Sequence, residues 1–340
     1  MNNDTTGQAS TAGSISAVIL CLALTAGVLF QGCAVMTGPG KATAHEQQKV
    51  PYLAWPQAPE SPRIQYVGQL TGRKDFAAKR SFFGRIFTFL LGTRPSDNFF
   101  TKPLAVHVDD NDNVFVADPG TKGVFVFDHN RSAFQCYRRF GKTALESPVS
   151  VVGAGTRGIF FVADSALGQV FAADLRGRLL FTLSEGLERP VGLAVYGNRL
   201  FVADSKQNQI LVFDFQGRKI SQFGGPGRKP GQFNYPTHIT TDRDGRLYVS
   251  DTMNFRVQIF DSTCQFIGMI GKPGDTSGGF SRPKGVGVDT LGHVYVADAL
   301  FDNIQVFDEA GRFLLDFGKA GFQAGEFWLP TGVAVSKNNT

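Results

Sequence analysis

The chain has 340 residues, 42% hydrophobic and 19% charged, which fills a sizeable core and excludes wholesale disorder, a long coiled coil and a collagen-like chain. Forty Gly and 32 Phe beside four Met and two Trp favour many short strands joined by tight turns. The net charge of +5 is confined to one end: residues 1–94 hold nine Lys/Arg against four Asp/Glu, whereas residues 95–340 hold 25 of each. A neutral body argues against nucleic acid as a partner, because phosphate binding needs clustered positive charge on the folded surface.

In chain order, residues 1–14 are polar and Ile15–Phe30 is almost wholly apolar, with no Lys or Arg before Lys41. Sixteen residues are short for a membrane span, which needs about 20, and suit a secretory h-region. Directly after it comes Leu29-Phe30-Gln31-Gly32-Cys33-Ala34. This resembles the lipobox of bacterial lipoproteins, with Cys33 as the lipidated residue and residues 1–32 as the signal peptide. Phe30, Gln31 and the uncharged n-region depart from that pattern. An uncleaved signal anchor and a start at Met36 are the alternatives. Residues 33–62, rich in Pro, Ala and Gln and without period, read as a tether.

Residues 63–102 hold a lead-in strand, Arg63–Leu70, and a short apolar helix between the N-cap Ser81 and the C-cap Gly92. The helix either packs on the body or docks on a membrane surface or partner, with Arg80, Phe83, Arg85 and Phe87 as the docking residues.

From residue 103 a repeat takes over. Five strand-like segments, VFVAD, FFVAD, LFVAD, LYVSD and VYVAD, end at Asp118, Asp164, Asp204, Asp251 and Asp298. A second Asp follows each by ten residues, and a proline precedes each unit at 103, 148, 190, 236 and 283, with a sixth at 330. Each unit reads as four short antiparallel strands, the signature of a β-propeller blade. Phe115, Phe161, Phe201, Tyr248 and Tyr295 are the expected packing between blades. Residues 103–340 are therefore an all-β propeller with blades starting near 103, 148, 190, 236, 283 and 330, five complete and the last incomplete.

The units resemble NHL repeats, and the chain is similar to bacterial six-bladed NHL-propeller lipoproteins of the cell envelope. The resemblance rests on NYPTHITTDRDGRLYVSDTMNFRVQIFD, on FSRPKGVGVDTLGHVYVADALFDNIQVFDEAGRFLLDFG and on GEFWLPTGVAV. It implies a six-bladed ring whose N-terminal strand completes the last blade. Because the sixth unit stops after TGVAV, the natural protein is expected to continue for some 20–30 residues. Related propellers serve as sensor domains or assembly platforms, which implies binding rather than chemistry.

The recurring Asp residues fit a structural role, bonding their own loops. Function is expected where blades differ. The second and fourth residues after each proline are expected to face the central channel, and they are small except for His107 and His238, on opposite blades. Those two, with Thr240, are the ligand candidates; water-bonded histidines and a metal pair are both open, but no third ligand and no catalytic residue stand out. His129 and His293 fall in turns, and His45 in the tether, all read as solvated. Cys136 and Cys264 lie on opposite blades and are expected to be free thiols. The reading is a lipid-anchored envelope module, facing the periplasm or exterior, that binds a protein, peptide or polysaccharide and needs no cofactor. The alternative is a propeller lyase or lactonase with an axial metal.

Overall fold

The computed structural model describes residues 52–57, 59–69, 100–128, 131 and 133–336, together with the strand Ile19–Leu22. Five four-stranded antiparallel sheets follow one another, each pairing its strands in simple sequence order. Their innermost strands are Ala105–Val108, Pro148–Ala154, Pro190–Tyr196, Pro236–Thr241 and Pro283–Val288. A sixth innermost strand, Gly332–Val335, lies between those of blades five and one and closes the ring. The prolines stand where a strand begins, a place that tolerates a missing N–H.

Each sheet is radial, so the side chains of an inner strand point sideways into the two flanking blades. Val151, Leu193, Ile239, Val286 and Val333 pack backward on the preceding blade, while Val152, Ala194 and Ala334 pack forward on the following one. Six apolar clusters result, one in each seam between neighbours. The five aromatics Phe115, Phe161, Phe201, Tyr248 and Tyr295 lie in these seams as expected, each 4% exposed or less. Val152, Ala194 and Ala334, each fourth after its proline, thus meet the next blade and also border the axial cavity.

The small residues there are a packing requirement. A Cβ on Gly285 would sit 2.6 Å from the backbone nitrogen of Val333, and one on Gly192 would sit 2.8 Å from the carbonyl of Thr237. Ser150 uses its place differently, its Oγ accepting the N–H of Leu193 on the next blade at 3.1 Å.

Two N-terminal segments depart from expectation. Ile64–Gln65 pairs with Ala54–Trp55, not with an outer strand of the last blade, so part of the expected tether is ordered. Trp55 and Ile64 pack into the seam between blades five and six, with Trp55 5.6 Å from the ring of Phe317. Ile19–Leu22, within the apolar stretch, pairs antiparallel with Gly332–Val335 in the place of a second strand for blade six. Cys33 and the segment bearing Arg80, Phe83, Arg85 and Phe87 lie outside the described residues.

Candidate functional site

The repeated aspartates are built into the scaffold. Asp118 accepts the backbone N–H groups of Thr101 at 2.6 Å and Lys102 at 2.9 Å, and also that of Gly120 at 2.9 Å. Asp164, Asp204 and Asp298 repeat the arrangement with Glu146, Glu188 and Ser281, each at 2.7 Å. Each carboxylate thus staples the incoming connector to the turn after its own second strand, and all five are fully buried. In blade four, Asp251 also takes Arg256 Nε at 2.9 Å, a buried pair. The second set caps the turn between third and fourth strands. Asp308 accepts the backbone N–H of Arg312 at 2.8 Å, and that bond holds its carboxyl below the usual range.

With the repeated residues occupied, the polar groups that differ between blades gather on the axis. A funnel of about 430 Å³ opens on the face made by the turns between first and second strands. His107, Ser150, Thr240 and His238 line it, and Thr156, Arg157 and Arg243 stand at its rim. The sequence candidates His107, His238 and Thr240 therefore share one cavity. The rim carboxylates are less available: Asp109 accepts the N–H groups of Asn111 and Asn113, and Asp242 binds Arg246 Nε at 2.6 Å. Arg157, its guanidinium 5.0 Å above the ring of Phe215, was not singled out from the sequence. Its chemistry depends on a turn that only the fold brings to the axis.

His238 ends the funnel. It occupies the second place after its proline, where the other blades carry Ala, Ser or Gly. Its ring turns onto the axis and hydrogen-bonds the backbone of Leu104 on the opposite blade. The other nitrogen, Nδ1, is buried without a protein partner. Burial, and then the charge of Lys284, push its pKa down to about 3, so the imidazole is neutral at physiological pH. His107 lies 6.2 Å from Phe115 between ring centroids. Among the described residues no group of three or more His, Cys, Asp or Glu is arranged to hold a metal. His293, read as solvated, instead sets Nδ1 2.8 Å from Asp289. Cys136 lies on the fourth strand of blade one and Cys264 in a turn of blade four; both thiols are free, and burial raises both pKa values.

Comparison with known proteins matches this architecture. Residues 184–245 match a family described as 6-bladed beta-propeller, and residues 233–260 match the NHL repeat. With the ring of inner strands, these matches define an all-β propeller, with five four-stranded blades and a sixth inner strand among the described residues and one segment like an NHL repeat. Among solved structures, a streptogramin B lyase is similar at 12% identity and a TM-score of 0.51, over 63% of this chain and 68% of that one. Virginiamycin B lyase from Staphylococcus aureus is similar at 15% identity and a TM-score of 0.51, over 65% and 71% of the two chains. A nidogen/laminin complex is similar at 16% identity and a TM-score of 0.52, over 69% and 84%. At these identities the likeness is one of fold. A search of the curated proteins finds no match.

Proposed function

We propose that this propeller is a binding or scaffolding module of the bacterial cell envelope, taking a protein, peptide or polysaccharide and performing no catalysis of its own. One observation carries the reading: the recurring carboxylates are spent on backbone N–H groups, while the side chains that break the repeat converge on a single funnel. Ser150 and Thr240 offer hydroxyls on the funnel wall, beside the imidazole of His107. The nidogen/laminin complex, a protein assembly of similar fold, agrees with such a role.

A lipid anchor at Cys33 followed by a tether would hold the ring near a membrane. Acyl burial contributes about 0.8 kcal/mol per CH₂, so two or more chains anchor firmly. Cys33→Ala is expected to move the protein from the membrane to the soluble fraction, and an unchanged membrane fraction would remove the lipoprotein assignment.

The lyase reading draws on the similar fold of the two lyases. Acid–base catalysis near neutrality needs a group poised there; burial holds His238 neutral, which leaves His107 as the funnel's other imidazole. Metal analysis of purified protein separates the readings: stoichiometric zinc or calcium would favour the enzyme. The binding reading predicts that His107→Ala with Thr240→Val lowers cross-linked partner capture at least tenfold while the fold persists. Equal capture by the variant would contradict it.

A further inference from the structure

The connectors that leave blades three and five share one backbone. Gly227 and Gly321 donate their N–H groups to the carbonyls of Phe233 and Phe327, each at 2.9 Å, and those phenylalanines donate to the carbonyls of Gly225 and Lys319, each at 2.8 Å. A bridge joins Pro226 to Phe233 in one loop and Ala320 to Phe327 in the other. Two surface places in this common loop differ. They hold Arg228 and Asn234 after blade three and, at the same spacing from the next proline, Asp275 and Ser281 after blade four. After blade five they hold Phe322 and Trp328.

These two rings stack on one another, with centroids 5.5 Å apart and planes 27° from parallel, yet Phe322 stays 63% exposed and Trp328 41%. The loop does not need them, since Arg228 and Asn234 accompany the same hydrogen bonds in blade three. The loop is well supported from below. A Cβ on Gly325 would sit 3.0 Å from the indole of Trp55 and 3.1 Å from Leu53, so the connector lies in close contact with the N-terminal strand pair. Trp55 packs in turn on Phe317. Lys319 and Glu326, the only charged residues between 318 and 329, pair at 3.3 Å and leave the loop neutral. Exposed aromatic surface on a buttressed loop marks an interaction site, because a rigid platform loses little entropy on binding. None of the loop's residues lines the funnel.

We propose that Phe322 and Trp328 form a carbohydrate platform, which takes the apolar face of a gluco-configured pyranose in a polysaccharide; it rests on the binding-module reading but not on the funnel. Rings already in contact leave no slot between them for a proline or an aliphatic side chain, which argues against an extended peptide. The neutral loop offers no steering charge to an ionic partner. A pyranose whose hydroxyls are equatorial suits both facts. Its axial C–H bonds make a flat apolar face, weakly positive, that rests on the negative face of an aromatic ring. Its hydroxyls border that face, where the indole N–H of Trp328 and the amide of Gln323, exposed and next to Phe322, supply hydrogen bonds.

The test is retention of the full chain on microcrystalline cellulose and on chitin, with polystyrene beads as the control. Wild type is expected to bind at least one of the two polysaccharides and to be displaced by cellohexaose or chitohexaose in solution. Phe322→Arg with Trp328→Asn, the residues that blade three carries in the same loop, should lower retention at least tenfold at an unchanged melting temperature. Phe322→Tyr with Trp328→Phe should stay within threefold of wild type. The funnel variant His107→Ala with Thr240→Val should be retained like wild type, so failure of the funnel and failure of the platform are read separately. Retention on neither polysaccharide above the beads, or equal retention of the Phe322→Arg, Trp328→Asn variant, would overturn the proposal. So would a wild-type dimer that this variant turns into a monomer, which would assign the rings to a second copy of the chain.

Discussion

Gly192 and His238 stand at the same place in successive blades, and the contrast between them decides what each does. A glycine lets the neighbouring inner strand approach to backbone contact, whereas the imidazole lines the axial cavity and hydrogen-bonds Leu104 across the ring. Gly285→Ala should therefore cost about 1–3 kcal/mol, because its Cβ meets the backbone of Val333 and Thr331 at 2.6 and 2.7 Å. A urea titration within 0.5 kcal/mol of wild type would contradict the close-approach account. His238 carries a pH signature. Its pKa is about 3 in the folded chain and near 6.5 when unfolded, so only the unfolded chain holds the proton between these values. Stability should fall as pH drops below about 6.5, by about 1.4 kcal/mol per unit from this residue. His238→Gln should lose about 2–3 kcal/mol less than wild type between pH 7.5 and 4.5, and identical pH profiles would show that the ring is not buried as described. The structural role of the aspartates was legible, because recurrence once per blade marks scaffold. That the inner-strand residues also pack between blades was not: alternation reveals two faces without saying that both meet neighbouring blades.

At the scale of the element, a blade cannot stand alone, since each seam is half made by the next sheet. Phe161 is fully buried between blades two and three with Leu193 and Phe213, whereas Ile220 on an outer strand is 53% exposed. Phe161→Ala should cost about 3–5 kcal/mol and Ile220→Ala less than about 0.5, measured by denaturant unfolding. Comparable losses would mean that the seams do not carry the stability. Asp204→Ala should cost about 1–3 kcal/mol by leaving the N–H groups of Glu188 and Arg189 unpaired. The blade boundaries were readable because proline, β-branched runs and Gly turns coincide at each repeat. The N-terminal pairing was not, since Ala54–Trp55 and Ile64–Gln65 are two-residue strands with no period to betray a partner.

Across the whole molecule, six inner strands in a ring turn one-dimensional repetition into a single axis with a funnel at one end. The face of the first turns carries the hydrogen-bonding funnel, which His238 lines from blade four. Cys136 and Cys264, on blades one and four, should titrate as free thiols in denaturant without reductant, and loss of both signals would contradict the ring order that sets them apart. The most direct measurement of the central claim places a photo-crosslinking residue at Thr240 or Thr156 on the funnel, or at Ile220 or Ile267 on outer strands, in cells. The axial account predicts adducts from positions 240 and 156 and none above background from 220 and 267. Adducts confined to the outer strands would contradict it.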